Sequence, residues 1–336
     1  MEQLPSLVLL LIVVGSIFVL DRGAHLLVRE AVALSLRWGL STAVIGATVV
    51  SLGTTLPEAA VSVYAAIQGD ATIALGNAVG SIICDTGLIL GIATLISPLR
   101  LNRAIVNRQG WIQLAAGVLL IAACLPLSNL GAIFDEGGRL FQVTGIIFVV
   151  LLLAYLWASI TVFGSGTAEA HADEIRDDAG STWLVFAKLA IGIVLVLVSS
   201  RTLIPAAQEI AIRMHVPPSI IAATLIAFGT SLPEFATAVT AARKGHGELA
   251  IGNVIGADIL NVLFVAGLSA AVTPAGLAAP AHFFKFLFPA MLAVLIVFRI
   301  GTLVSKTHLG RPFGIILLLV YIAITGFSLS LGIKAH

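Results

Sequence analysis

The amino-acid sequence predicts an all-α integral membrane protein: ten transmembrane helices arranged as two inverted-topology five-helix repeats, with broken helices at the midplane. Three observations carry that reading. The chain of 336 residues is 59% hydrophobic and only 10% charged, with a mean hydropathy of +1.10, whereas soluble domains carry about 25% charged residues. Its apolar runs suit a bilayer core of about 30 Å, which takes about 20 residues of helix to cross. One short polar motif is also written twice, 176 residues apart.

On the length ruler, helices fall at 5–21, 26–67, 72–98, 109–126, 139–163, 182–201, 206–243, 248–275, 280–300 and 312–333. The runs 26–67 and 206–243 exceed one straight crossing, so they must be tilted, broken or extended beyond the lipid. The opening stretch has no basic region before its apolar run and no small-residue cleavage signature after it, and reads as a retained first span. The polar insert "GSGTAEAHADEIRDDAGS" (Gly164 to Ser181) has small and acidic residues and no apolar period. It reads as a solvated linker, dividing the chain into a first repeat (1–163), a linker (164–181) and a second repeat (182–336). Five spans per repeat is an odd number, so the second copy enters the membrane upside down. Lys and Arg number twelve on the linker side and five on the other. This bias puts the linker in the cytoplasm and both termini outside, in a multi-pass cell-membrane protein.

A net charge of +1 gives no global field for nucleic acid. Cys84 and Cys124 both lie in apolar runs, where a thiol fills space, and suggest neither a disulfide nor a zinc site.

The repeated motif is "GTTLPE" at Gly53 to Glu58 and "GTSLPE" at Gly229 to Glu234. Proline lacks an amide hydrogen and clashes with the carbonyl four residues back, so Pro57 frees the carbonyl of Gly53 and Pro233 that of Gly229. Irregular backbone at membrane depth survives only where it is buried in protein or lines a cavity. Thr54 and Glu58 are four apart, as are Thr230 and Glu234, so each pair shares one helix face. Freed carbonyls, hydroxyls and carboxylates are oxygen donors, the set that suits hard cations such as calcium.

The duplication continues in "GNAVGSIICD" (Gly76 to Asp85) and "GNVIGADILN" (Gly252 to Asn261). Asn77, Ser81 and Asp85 form one polar stripe, and Asn253, Ala257 and Asn261 its twin. Gly76 with Gly80, and Gly252 with Gly256, are GxxxG pairs that allow close backbone approach, so each broken helix is expected to pack tightly on its neighbour's stripe. Glu58, Asp85, Glu234 and Asp258 fall within spans, where a carboxylate costs about 2.5 kcal/mol or more to insert and is read as functional by default. Asp258 stands off the stripe, its twin being Ile82.

On these motifs the sequence resembles the calcium/cation antiporter superfamily, in particular prokaryotic sodium/calcium exchangers. The resemblance implies a central diamond of four cation sites, with Glu58 and Glu234 holding Ca2+ with help from Thr54 and Thr230. Thr55, Ser231 and Ser81 would place hydroxyls around Na+. Asn77, Asn253, Asp85, Asn261 and Asp258 complete the candidate ligand set. The chain departs from the family pattern in carrying its stripe acid in the first copy, at Asp85, with the amide Asn261 in the second. Ala257 replaces a serine that would lend a hydroxyl to sodium.

The implied function is secondary antiport of Ca2+ against Na+ at one shared site by alternating access, without a resident cofactor. A Ca2+/H+ or K+-dependent antiporter on the same scaffold is the alternative, since protons need titratable acids rather than hydroxyls. An intramembrane hydrolase is disfavoured because neither HExxH nor a GxGD-type motif occurs, and a channel needs no inverted repeat with buried glutamates. The expected partners are the ions and the bilayer, with no nucleic acid and no obligate protein.

Overall fold

The computed structural model describes residues 4–126, 130–162, 181–214 and 228–330. Its helices are α1 Ser6–Trp38, α2 Thr42–Thr54, α3 Leu56–Ile67, α4 Ala71–Ile96, α5 Arg103–Cys124, α6 Gln142–Thr161, α7 Thr182–Arg213, α8 Leu232–Arg243, α9 Gly247–Ala271, α10 Phe283–Val304 and α11 Arg311–Ser330. Among the described residues, eight helices are long and apolar enough to cross a membrane, and α2 with α3 forms a ninth, bent by 45° at Thr55. The segment 164–180 of the expected linker, and 215–227 of the expected span 206–243, lie outside the described residues.

The boundary expected between the first and second spans is corrected. α1 runs unbroken through Asp21, Arg22 and Gly23 to Trp38, and the chain turns only at Gly39, in the left-handed region at φ +63°. The same correction applies in the second half, where α7 continues past Arg201 and through Pro205 to Arg213. A span of 33 residues is about 50 Å long at 1.5 Å per residue, so a 20-residue ruler divided it at its charges. Those charges are partnered locally: Arg29 pairs with Glu30 at 2.7 Å, and His25 lies 3.4 Å from Asp21. The other spans lie within several residues of the predicted ranges.

α1 and α7 pack antiparallel along their length. Arg37 at one end donates to Thr182 Oγ1 (3.0 Å), and Arg213 at the other donates to Ser6 Oγ (3.0 Å). They approach closely at Gly23, beside Leu195 and Val196, and at Gly192, beside Leu27. Much of their remaining surface is apolar and exposed, as at Leu7, Leu11, Val14, Val194 and Val198. That is the face a lipid-bathed helix presents.

The two stripe helices are the most enclosed. The apolar window of α9 is 94% buried and that of α4 72%, against 28% for α1, α6 and α7. Small residues make this possible. A side chain at Gly252 would strike the backbone of Ala43, and one at Gly256 would meet Ala47 and Ser51. The second GxxxG pair therefore packs on α2, the broken helix of the other half, rather than on its own sequence neighbour. The last residue of each stripe also sits at a widened helical turn. Asp85 lies in the π-turn Cys84–Ile89, Asn261 opens the π-turn Asn261–Ala266, and α2 carries a third at Gly46–Val50.

Two short antiparallel ribbons join the halves. β1 (Leu99–Arg100) pairs with β4 (His308–Leu309), and β2 (Gly138–Leu140) pairs with β3 (Leu277–Ala279). In each ribbon one strand comes from before residue 163 and the other from after residue 181.

Candidate functional site

Pro57 and Pro233 both occupy the first turn of a helix, α3 and α8, rather than the middle of a continuous one. Their missing amides cost nothing at that position, and the acid that follows each, Glu58 or Glu234, falls in the same first turn. There the helix dipole favours negative charge. The motif thus starts a new helix at membrane depth and sets a carboxylate beside the break.

The structure brings most of the predicted residues together. Thr54, Thr55, Ser231 and Asn253 are fully buried, Glu58, Glu234, Asp85 and Asn261 are 1% exposed, Asp258 2% and Ser81 4%. Asn77 and Thr230 are half-buried. Thr55 Oγ1 donates to Glu234 Oε1 at 3.2 Å, a direct link from the first motif to the second. Glu58, Glu234 and Asp85 lie within Coulomb range of one another, and Asp85 and Glu234 also feel Asp258. Asn77 faces inward within its own half, donating to Ser62 Oγ (2.9 Å) and the Glu58 carbonyl (3.4 Å). Thr54 spends its hydroxyl on the Ser51 carbonyl (3.3 Å).

Three contributors escaped the sequence reading. Ser62 holds Asn77, while Thr86 and Gln113 hold Asp258: both donate to Asp258 Oδ2, Gln113 Nε2 at 2.5 Å. Gln109 and Gln113 are two amides one turn apart, and Gln113 is the last polar side chain before the apolar run that ends α5. That spacing was a legible signal on α5.

The electrostatics are one-sided. Among the described residues no ion pair reaches Glu58, Asp85, Glu234 or Asp258. Both oxygens of Glu58, Oδ1 of Asp85, Oε2 of Glu234 and Oδ1 of Asp258 are buried without a hydrogen-bond partner, as are Ser231 Oγ and the amides of Asn253 and Asn261. Buried polar atoms are normally paired, because an unmatched one costs about 1–3 kcal/mol and a charged one more. Among the described residues no three His, Cys, Asp or Glu side chains form a compact metal cage. The donors are instead a dispersed set of carboxylate, hydroxyl and amide oxygens, which suits hard cations with many oxygen ligands.

A bent helix pair, α2 with α3, with acids and hydroxyls converging on it from both copies of the motif, points to a membrane transporter for cations. The sodium/calcium exchanger protein family matches residues 8–161 and 184–330, and the chain belongs to that family: it is a prokaryotic sodium/calcium exchanger-like cation antiporter. It is 33% identical over 317 residues to Inner membrane protein YrbG of Escherichia coli (strain K12), covering 91% of this chain and 92% of that one. It is 29% identical to Sodium/calcium exchanger MaX1 of Methanosarcina acetivorans, over 94% of this chain and 96% of the relative. Its fold superposes on the solved sodium-calcium exchanger NCX_Mj with a TM-score of 0.80 at 25% identity, covering 96% of this chain and 99% of that one.

Proposed function

We propose that this protein exchanges Ca2+ for Na+ across the cell membrane by alternating access at one central site. The observation that carries the reading is the set of five buried, unpartnered carboxylate oxygens on Glu58, Asp85, Glu234 and Asp258. Anionic oxygens without a basic partner call for mobile cations. Glu58 and Glu234, helped by Thr54 and Thr230, would be the principal Ca2+ ligands; Thr55, Ser231 and Ser81 would supply hydroxyls around Na+, and Asp85, Asn261, Asn77, Asn253 and Asp258 complete the cation-ligand set. Several monovalent ions or one divalent ion balance the same carboxylates. Competition for those oxygens, with access from one side at a time, is sufficient for antiport. A cycle that moves net charge responds to voltage at about 2.3 kcal/mol per charge per 100 mV.

The reading includes ten spans in two inverted repeats, 1–163 and 182–336, joined by a cytoplasmic linker at 164–181, with both termini outside. Strand pairing supports it. Arg100 and His308 pair in one ribbon, so an even number of crossings separates them. Between them lie α5, α6, α7, α9 and α10, and α8 belongs to the sixth crossing.

Ala257 and Asp258 together favour a second reading, in which protons or K+ replace Na+. The deciding experiment is Ca2+ uptake into proteoliposomes under imposed Na+, K+ or H+ gradients in turn. Uptake driven by the Na+ gradient is the expected result. Uptake driven by protons alone overturns the choice of counter-ion.

A further inference from the structure

Asp258 is the acid that the duplication does not explain. Its twin is the apolar Ile82, and it stands beside Ala257, where the twin stripe has the hydroxyl of Ser81. A carboxylate here is not a copied feature, so its surroundings show what holds it.

The two oxygens of Asp258 are treated differently. Oδ2 accepts from Thr86 Oγ1 and from Gln113 Nε2 (2.5 Å), and Gln113 Nε2 also lies 3.2 Å from Thr86 Oγ1. Oδ1 is buried and unpartnered. Two donors on one oxygen fix the direction of the other, leaving a ligand with one anionic oxygen of set orientation. Asp85, from the other half, lies within Coulomb range of this carboxylate, and its Oδ1 is also buried without a partner.

Gln113 comes from α5, outside the duplicated motifs, and is 3% exposed. One turn earlier, Gln109 donates to Ser159 Oγ (3.2 Å) and accepts from Tyr155 Oη (3.0 Å). Tyr155 Oη sits 3.2 Å from the Ala47 carbonyl, in the π-turn of α2. The two amides of α5, one turn apart, thus have separate partners, Gln109 toward the broken helix through Tyr155 and Gln113 at Asp258.

We propose that Gln113 and Thr86 are positioning residues that aim Asp258 Oδ1 as a ligand for a monovalent alkali cation, supplying the oxygen that Ala257 lacks. One charged oxygen matches a monovalent ion better than Ca2+, which takes six to eight oxygens. The inference rests on the cation-exchange reading above.

The test uses the purified full-length protein in detergent and reads thermal stabilisation by NaCl or CaCl2, with choline chloride as the ionic-strength control. If neither cation stabilises the wild type, the cation-site reading itself fails, separately from the role of Gln113. Where both stabilise it, Gln113→Met raises the half-maximal Na+ concentration about tenfold, the scale of a hydrogen bond to a charged group. The half-maximal Ca2+ concentration stays within about twofold. Thr86→Val, which keeps the side-chain volume, acts in the same direction and on the same scale, since Thr86 bonds the same charged oxygen. In an Asp258→Asn background, adding Gln113→Met produces no further Na+ effect. An unchanged Na+ midpoint in Gln113→Met, parallel loss of Na+ and Ca2+ responses, or additive effects in the double variant each overturns the proposal. Should Gln113→Met not fold, Thr86→Val with Asp258→Asn runs the same cycle with the same outcomes.

Discussion

The two copies of the motif share a backbone design but use their oxygens differently. In the first half Glu58 has both carboxylate oxygens unpartnered, while in the second Glu234 gives one of its two to Thr55. Thr55 has a twin in Ser231, and the mirror-image bond from Ser231 to Glu58 is not made: Ser231 Oγ is itself unpartnered. Asn77 is satisfied by Ser62 and the Glu58 carbonyl, whereas the amide of its twin Asn253 has no partner. The two copies therefore agree in where the donors stand and differ in charge, Asp85 having the amide Asn261 as its twin and Asp258 the apolar Ile82. The outcome is a symmetric scaffold around an asymmetric donor set.

The largest effect is expected where the halves agree. Glu58→Gln and Glu234→Gln each lower Ca2+ uptake into proteoliposomes by about a hundredfold or more, beyond the 10–100-fold typical of groups that merely support a metal ligand. Survival of exchange in either variant would show that one half suffices. The next largest effect addresses the stripe acid. Asp85→Asn lowers uptake about tenfold, the scale of one charged contact. The exchange Asp85→Asn with Asn261→Asp recovers most of it, because the acid returns at the pseudo-symmetric position. Failure of the double variant to improve on the single one would mean that the two positions are not equivalent.

Smaller differences should separate Thr55 from Ser231. Thr55→Val frees Glu234 Oε1 and shifts the half-maximal Ca2+ concentration about three- to tenfold, in line with a net hydrogen-bond worth of about 0.5–1.5 kcal/mol. Ser231→Ala breaks no bond and shifts it less, and equal shifts would erase the asymmetry. The smallest effect is expected away from the site. A disulfide formed by Arg100→Cys with His308→Cys, which are paired in register at a spacing such a bond can span, leaves uptake unchanged within about twofold.

Much of this architecture was legible because membrane insertion leaves few options. Apolar length, an acidic insert and a motif repeated at a fixed interval identified the spans and the residues that meet at the centre. What was not legible had local causes. The ends of α1 and α7 were misplaced because Asp21 and Arg22 in the one, and Arg201 and Pro205 in the other, look like breaks, yet Asp21 meets His25 one turn on and Pro205 sits inside a continuous helix. The approach of α2 to Gly252 and Gly256 was not named, since close-packing residues announce an approach without saying what approaches. Thr86, Ser62 and Gln113 were missed because they lie outside the repeat, and duplication was the signal in use.

The ribbons limit what can move. β1 with β4 and β2 with β3 sew the loops around α4, α5 and α6 to those around α9, α10 and α11 at two separate places, so swinging one half bodily away from the other would unzip both seams. Neither seam touches α1 or α7, whose mutual contact is smoothed by Gly23 and Gly192. Under the exchange reading proposed above, a stroke that keeps both seams closed would fall to these two long rods.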